Sequence, residues 1–134
     1  MPDPNFKQRD GSSYDAYAET YDHYIELLAA PLARRLCSLA QLRAGQHVLD
    51  VGCGTGLATR WAARAVAPSG SVLGIDLSAG MIDTAVKAGV PPKAAPLEFR
   101  VMDAEALDLP DESFDAVVSL CAVLHFPDIA AGLS

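Results

Sequence analysis

Basic residues are scarce in this 134-residue chain: 10 Lys and Arg stand against 17 Asp and Glu, a net charge of −7. A protein that grips a phosphate backbone needs a positive stripe to displace counterions, so nucleic acid is not an expected partner. Long apolar runs are missing too, and nothing approaches the ~20 residues of a membrane-spanning helix. The opening Met1-Pro2-Asp3-Pro4-Asn5 lacks the basic start and apolar centre of a secretory signal, which makes the cytoplasm the expected compartment. Cysteine is confined to Cys37, Cys53 and Cys121, far apart, without a C-x-x-C pair and with an odd one left under any disulfide pairing. Reduced thiols are expected, and no metal site. What is present is an ordinary globular composition, 51% hydrophobic and 20% charged. The length suits one domain that buries roughly two-thirds of its unfolded surface.

Residues 1–13 are polar, carry Pro2, Pro4 and Gly11, and read as a mobile lead-in. Residues 14–45 read as N-terminal helices. Tyr14, Tyr17, Tyr21, Tyr24 and Leu28 recur at spacings of three and four, a helical stripe over residues 14–30. A second helix is predicted from Leu32 to Leu42, started by Pro31 and stopped near Gly45. From residue 46 to 134 strand and helix signals alternate. Strands are predicted at Gln46–Val51, Ser71–Asp76, Leu97–Met102 and Phe114–Leu120, the last apolar enough to be covered on both faces. Helices are predicted from Leu57 to Ala67 and from the cap Ser78 to Ala88, with Gly89 and Pro91-Pro92 as the stop. Right-handed crossovers of this length make the strands parallel, and a doubly wound order 3-2-1-4 is expected. That order brings Gly52–Gly56, Asp76, Asp103 and Leu120–His125 to one rim.

The most informative stretch is Val48-Leu49-Asp50-Val51-Gly52-Cys53-Gly54-Thr55-Gly56, a strand running into a glycine loop and then a helix. Its spacing is D-x-G-x-G-x-G, whereas a dinucleotide fingerprint requires G-x-G-x-x-G. Leu57 occupies the position where the third glycine would fall, so a nicotinamide dehydrogenase is disfavoured. The frame from Gly54 and Gly56 fails too, needing a small residue at Thr59 and an acid two positions before its first glycine. The spacing favours a different adenosine cofactor. Glycines let backbone approach a ligand closely and allow positive φ, although a tight turn alone would also require them. Cys53 reads as small-residue packing more readily than as a reactive thiol. Asp76 ends the second strand about 20 residues on, where a carboxylate accepts from ribose hydroxyls. The alternative is a turn to Ser78. Asp103 with Ala104 could accept from an exocyclic amine beside a purine, or cap the segment that follows.

Together, Val48–Gly56, Gly74-Ile75-Asp76-Leu77-Ser78, Asp103-Ala104 and Phe114-Asp115-Ala116-Val117-Val118-Ser119 resemble the class I S-adenosylmethionine-dependent methyltransferases. The nearest group in pattern is the type 11, ubiquinone/menaquinone-methyltransferase-like family. Its N-terminal helix is similar to the Tyr14–Tyr24 segment, with its Tyr21-Asp22 pair. The resemblance implies S-adenosyl-L-methionine as cofactor, a small-molecule methyl acceptor, and a Rossmann-like α/β sheet. It implies Asp50, Gly52, Cys53 and Gly54 around the methionine end of the cofactor, with Gly56 shaping the turn. Asp76 would take the ribose hydroxyls, Leu77 one face of adenine, and Asp103 the adenine amine beside Ala104. Met81 would line the same pocket, unless it is plain core. Leu120 would offer its carbonyl to the amino group. Tyr14 and Tyr21 could close over the cofactor, although tyrosines at helical spacing are usually core. Methyl transfer from a sulfonium needs alignment above all, and a base only where the acceptor must lose a proton. His125, just past the fourth strand, is the base candidate, with a loop or packing role as the alternative.

One departure stands out. Members of the family resemble one another in a seven-stranded sheet, and the last three strands have no counterpart before Ser134. The expectation is therefore a partial methyltransferase domain over residues 14–134, which binds cofactor and turns over weakly or not at all. A non-catalytic S-adenosylmethionine-binding or interaction module, completed by a partner chain, is the alternative. The apolar fourth strand would also be a bare edge, inviting self-association.

Overall fold

A computed structural model describes residues 28–120. The tyrosine stripe with Tyr21, the lead-in, Cys121 and His125 lie outside them. The described elements are α1 (28–39), β1 (His47–Val51), α2 (Leu57–Ala65), β2 (Ser71–Asp76), α3 (Ala79–Ala88), β3 (Leu97–Val101) and β4 (Ala116–Val118). The strands form one sheet in the order β3-β2-β1-β4, every pair parallel. That is the predicted α/β doubly wound, Rossmann-like arrangement.

The register explains the two faces. Val48 pairs with Val72 and Ala116, and Val72 with Leu97, so these side chains share one side of the sheet. There they pack with Cys37 of α1 and with Ala62, Ala63 and Val66 at the end of α2. Alanines on the inner stripe of α2 leave little between helix axis and sheet, so the glycine loop that feeds this helix lies close against the strand ends. Leu49, Val51, Leu73 and Ile75 point to the other side, beneath Met102, Ala104, Leu109 and Phe114. The two helical crossovers run in one direction across the sheet and share a face. The chain reverses between β3 and β4, and a right-handed connection then has to pass over the opposite face.

Several predicted boundaries are corrected. Residue 28 is already helical, so α1 is under way before Pro31 rather than starting there. α1 ends at residue 39, well before Gly45, in a Schellman motif. Leu42 N–H donates to the Cys37 carbonyl at 3.3 Å, Gln41 N–H to the Ser38 carbonyl at 3.0 Å, and Gln41 takes φ +52°. α2 stops at Ala65, with Val66 as its cap. β4 is shorter than the predicted Phe114–Leu120, because Phe114 turns into the second core and the Ser119 hydroxyl donates to the Val51 carbonyl at 2.9 Å. Nor is β4 covered on both faces: Val117 is 63% exposed, since the 102–114 segment covers β1 and β2 and stops short of it. The Ser78 cap, accepting from Met81 N–H at 3.1 Å, and Gly89 at the end of α3 match expectation.

Candidate functional site

Gly52, Gly54 and Gly56 adopt φ of +68°, +57° and +93°, the left-handed region that favours glycine. This lets the chain leave the buried end of β1, turn within five residues and enter α2. At Gly56 the requirement is also steric. A Cβ there would lie 2.7 Å from Phe99 Cζ and 3.0 Å from Arg60 Nη1.

The loop is tied to its surroundings at several points. Cys53 N–H donates to the Ile75 carbonyl at 2.9 Å, and Gly54 N–H to Asp76 Oδ2 at 2.9 Å. Asp76 Oδ1 accepts from Ser78 N–H at 2.9 Å. Asp76 therefore joins the loop to the start of α3, so the turn reading and a ligand reading coexist, since a carboxylate accepts more than two hydrogen bonds. Arg60 donates to the carbonyls of Thr55 at 2.8 Å, Ala85 at 2.8 Å and Gly89 at 3.3 Å, bracing the loop against the last turn of α3. Its guanidinium also stands 5.7 Å from the Phe99 ring centroid. Sequence reasoning missed Arg60, because the groups it serves are backbone carbonyls on another helix.

Asp50 is the most unusual side chain of the site. It is 1% exposed, and its Oδ2 accepts from the Thr59 hydroxyl at 2.7 Å. Its Oδ1 is the one buried side-chain polar atom without a hydrogen-bond partner among the described residues. Burial pushes the carboxyl up to about 7, opposed by the Thr59 hydrogen bond and reinforced by the charge of Asp76. Thr59, fully buried on α2, entered the sequence reading only as a failed glycine position. A hydroxyl one helical turn past the loop was the signal that could have found it.

Asp50, Gly52, Cys53, Gly54 and Leu120 line a pocket at the carboxyl ends of β1 and β4, closed on the other side by Thr55, Leu57 and Ala58. The remaining predicted residues surround it unequally. Cys53 is buried, its thiol raised well above the ordinary range by burial and by the charges of Asp50 and Asp76, so it is no nucleophile. Leu77 is 36% exposed on the rim, while Met81, 1% exposed, packs into the interior away from the pocket lining. Asp103 Oδ1 accepts from Glu105 N–H at 2.9 Å, a local turn, and Ala104 packs on the second core. Among the described residues no cluster of His, Cys, Asp and Glu could hold a metal ion.

A family model described as "Methyltransferase domain" matches residues 48–134. The chain belongs to the class I S-adenosylmethionine-dependent methyltransferases. Aklanonic acid methyltransferase DauC of Streptomyces sp. (strain C5) is 34% identical over 134 residues, covering 100% of this chain and 61% of that protein. Demethylmenaquinone methyltransferase of Symbiobacterium thermophilum is 32% identical over 126 residues, 90% of this chain and 50% of the relative. A chain in the complex between the Haloferax volcanii Trm112 methyltransferase activator and a methyltransferase superposes with a TM-score of 0.76 at 28% identity, covering 90% of this chain and 52% of that one. The chain thus spans about half the length of the curated relatives it matches. S-adenosylmethionine is the cofactor of this methyltransferase family, and the site's chemistry suits it. A buried carboxylate oxygen without a partner can accept an ammonium group, and the glycine backbone admits close approach.

Proposed function

We propose that this chain binds S-adenosylmethionine at the carboxyl rim of its sheet and transfers the methyl group to a small-molecule acceptor. The observation that carries the reading is the Asp50 carboxylate, buried beside a glycine-lined pocket with Oδ1 unpartnered. Asp50, Gly52, Cys53 and Gly54 surround the methionine end, and Gly56 sets the turn. Leu120 accepts from the amino group through its carbonyl. Asp76 accepts from the ribose diol while keeping its bonds to Gly54 and Ser78. Leu77 covers one face of adenine with Met81 behind it, and Asp103 accepts from the adenine amine beside Ala104. Tyr21 closes the site, and His125 takes a proton from acceptors that must lose one.

The bound cofactor supplies a methyl group on a sulfonium whose sulfur leaves neutral, so no acid is required. The protein's task is orientation and exclusion of water, which can be worth several kcal/mol of barrier. Calorimetric titration with S-adenosylhomocysteine against NAD tests the reading. Saturable binding of the first and none of the second is expected, and the reverse would overturn it. Aklanonic acid and demethylmenaquinone, named by two relatives, are the first acceptors for a turnover assay. Binding without turnover on any acceptor favours the non-catalytic module.

A further inference from the structure

We propose that Thr59 is a positioning residue, holding the Asp50 carboxylate by one oxygen so that the other faces the ammonium group of the cofactor. The inference rests on the cofactor reading above and adds a residue and a pH dependence to it. Four observations carry it. Thr59 is fully buried on α2, so its hydroxyl has no solvent to bond, and it donates to Asp50 Oδ2 at 2.7 Å. Asp50 is one of the residues that line the pocket, and its buried Oδ1 has no hydrogen-bond partner. A carboxylate held at one oxygen cannot rotate its second lone pairs away without breaking a buried hydrogen bond, a loss that costs more than an exposed one.

The groups around Asp50 make its charge state dependent on this hydroxyl. Burial disfavours the anion, and Asp76 at the end of β2 disfavours it further. Cys37 from α1 and Cys53 from the loop also face it, and both thiols are pushed up, Cys37 to about 11, by burial first and by the Asp50 charge second. Neither thiol ionises near neutrality. Arg60 on α2 is the cation of this group, acting on Cys53, and β4 places the apolar Val118 opposite Asp50. The Thr59 hydroxyl is the side-chain donor that favours the Asp50 anion. Binding of an ammonium ligand should therefore strengthen as pH rises through the Asp50 titration.

The test uses the whole chain, with S-adenosylhomocysteine as probe and the Asp50 carboxyl carbon followed by NMR without ligand. In the wild type, affinity should rise about tenfold between about pH 6 and pH 8. In Thr59→Val the carboxyl midpoint and the affinity profile should both move up, by roughly one pH unit, and Thr59→Ser should restore both. An affinity loss equal at every pH, with the carboxyl midpoint unmoved, overturns the proposal and leaves Thr59 a packing residue. Asp50→Asn gives a check that spares Thr59: the pH dependence in this range should vanish, and its persistence also overturns the proposal. If the wild type does not bind S-adenosylhomocysteine at all, the cofactor reading fails with the ammonium part. The NMR titration then still reports whether Thr59 holds Asp50.

Discussion

Asp50 is held at a cost. Its carboxyl is raised from an ordinary 3.8 to about 7 by burial, so folding takes up a proton between those values. Stability from this group is fully present below the unfolded value and is lost as pH rises through the folded one. Asp50→Asn keeps an acceptor for Thr59 and cannot ionise. It is expected to be more stable than the wild type at pH 8 by a few kcal/mol, with the gap narrowing as pH falls toward the unfolded value. Urea denaturation across pH checks this, and a gap independent of pH would refute it. Gly56 makes the opposite case, since a side chain there meets both a left-handed φ and the Phe99 ring. Gly56→Ala should destabilise by about 1–3 kcal/mol and weaken S-adenosylhomocysteine binding, measured by denaturation and calorimetry. The glycines and acids of the site were legible because backbone conformation and charge leave a spacing in the sequence. Thr59 and Arg60 were not, because their partners lie across the fold.

Among the elements, the end of α1 shows a local rule applied at an unexpected residue. The sequence points to Gly45, yet the left-handed position falls at Gln41, where the Schellman bonds close. Gln41→Gly removes the Cβ penalty and should stabilise by up to about 1 kcal/mol, the gain being reduced by the freer unfolded chain. The expected signature is a higher urea midpoint with an unchanged slope. α2 is fixed to its neighbours by side chains pointing both ways. Arg60 reaches the last carbonyls of α3, while the Trp61 ring has the guanidinium groups of Arg34 at 5.4 Å and Arg64 at 5.1 Å from its centroid. The helical period of α2 was readable, but which of its arginines turned inward depended on where α3 ends.

At the scale of the molecule, the two outer strands of the described sheet differ. β3 carries Glu98 and Arg100, paired at 2.7 Å on an exposed face, a charged edge that discourages further pairing. β4, whose one neighbour among the described residues is β1, presents Val117 at 63% exposure and carries no charge. Concentration-dependent association through β4 is expected in sedimentation experiments, and Val117→Lys should suppress it while leaving S-adenosylhomocysteine affinity unchanged. A wild type that stays monomeric at high concentration would remove the basis for this expectation. By itself the sequence determined the parallel α/β architecture, the strand order, and the loop and acids at the rim. Each of these is written in periodicity, punctuation or spacing along the chain. Only the tertiary structure decided that Asp50 is buried with one oxygen tethered and one bare, that Met81 turns inward while Leu77 stays at the rim, and that β4 is exposed on one face. Burial and hydrogen-bond partnership are properties of what the rest of the chain places nearby, and residues far apart in sequence carry no mark of it.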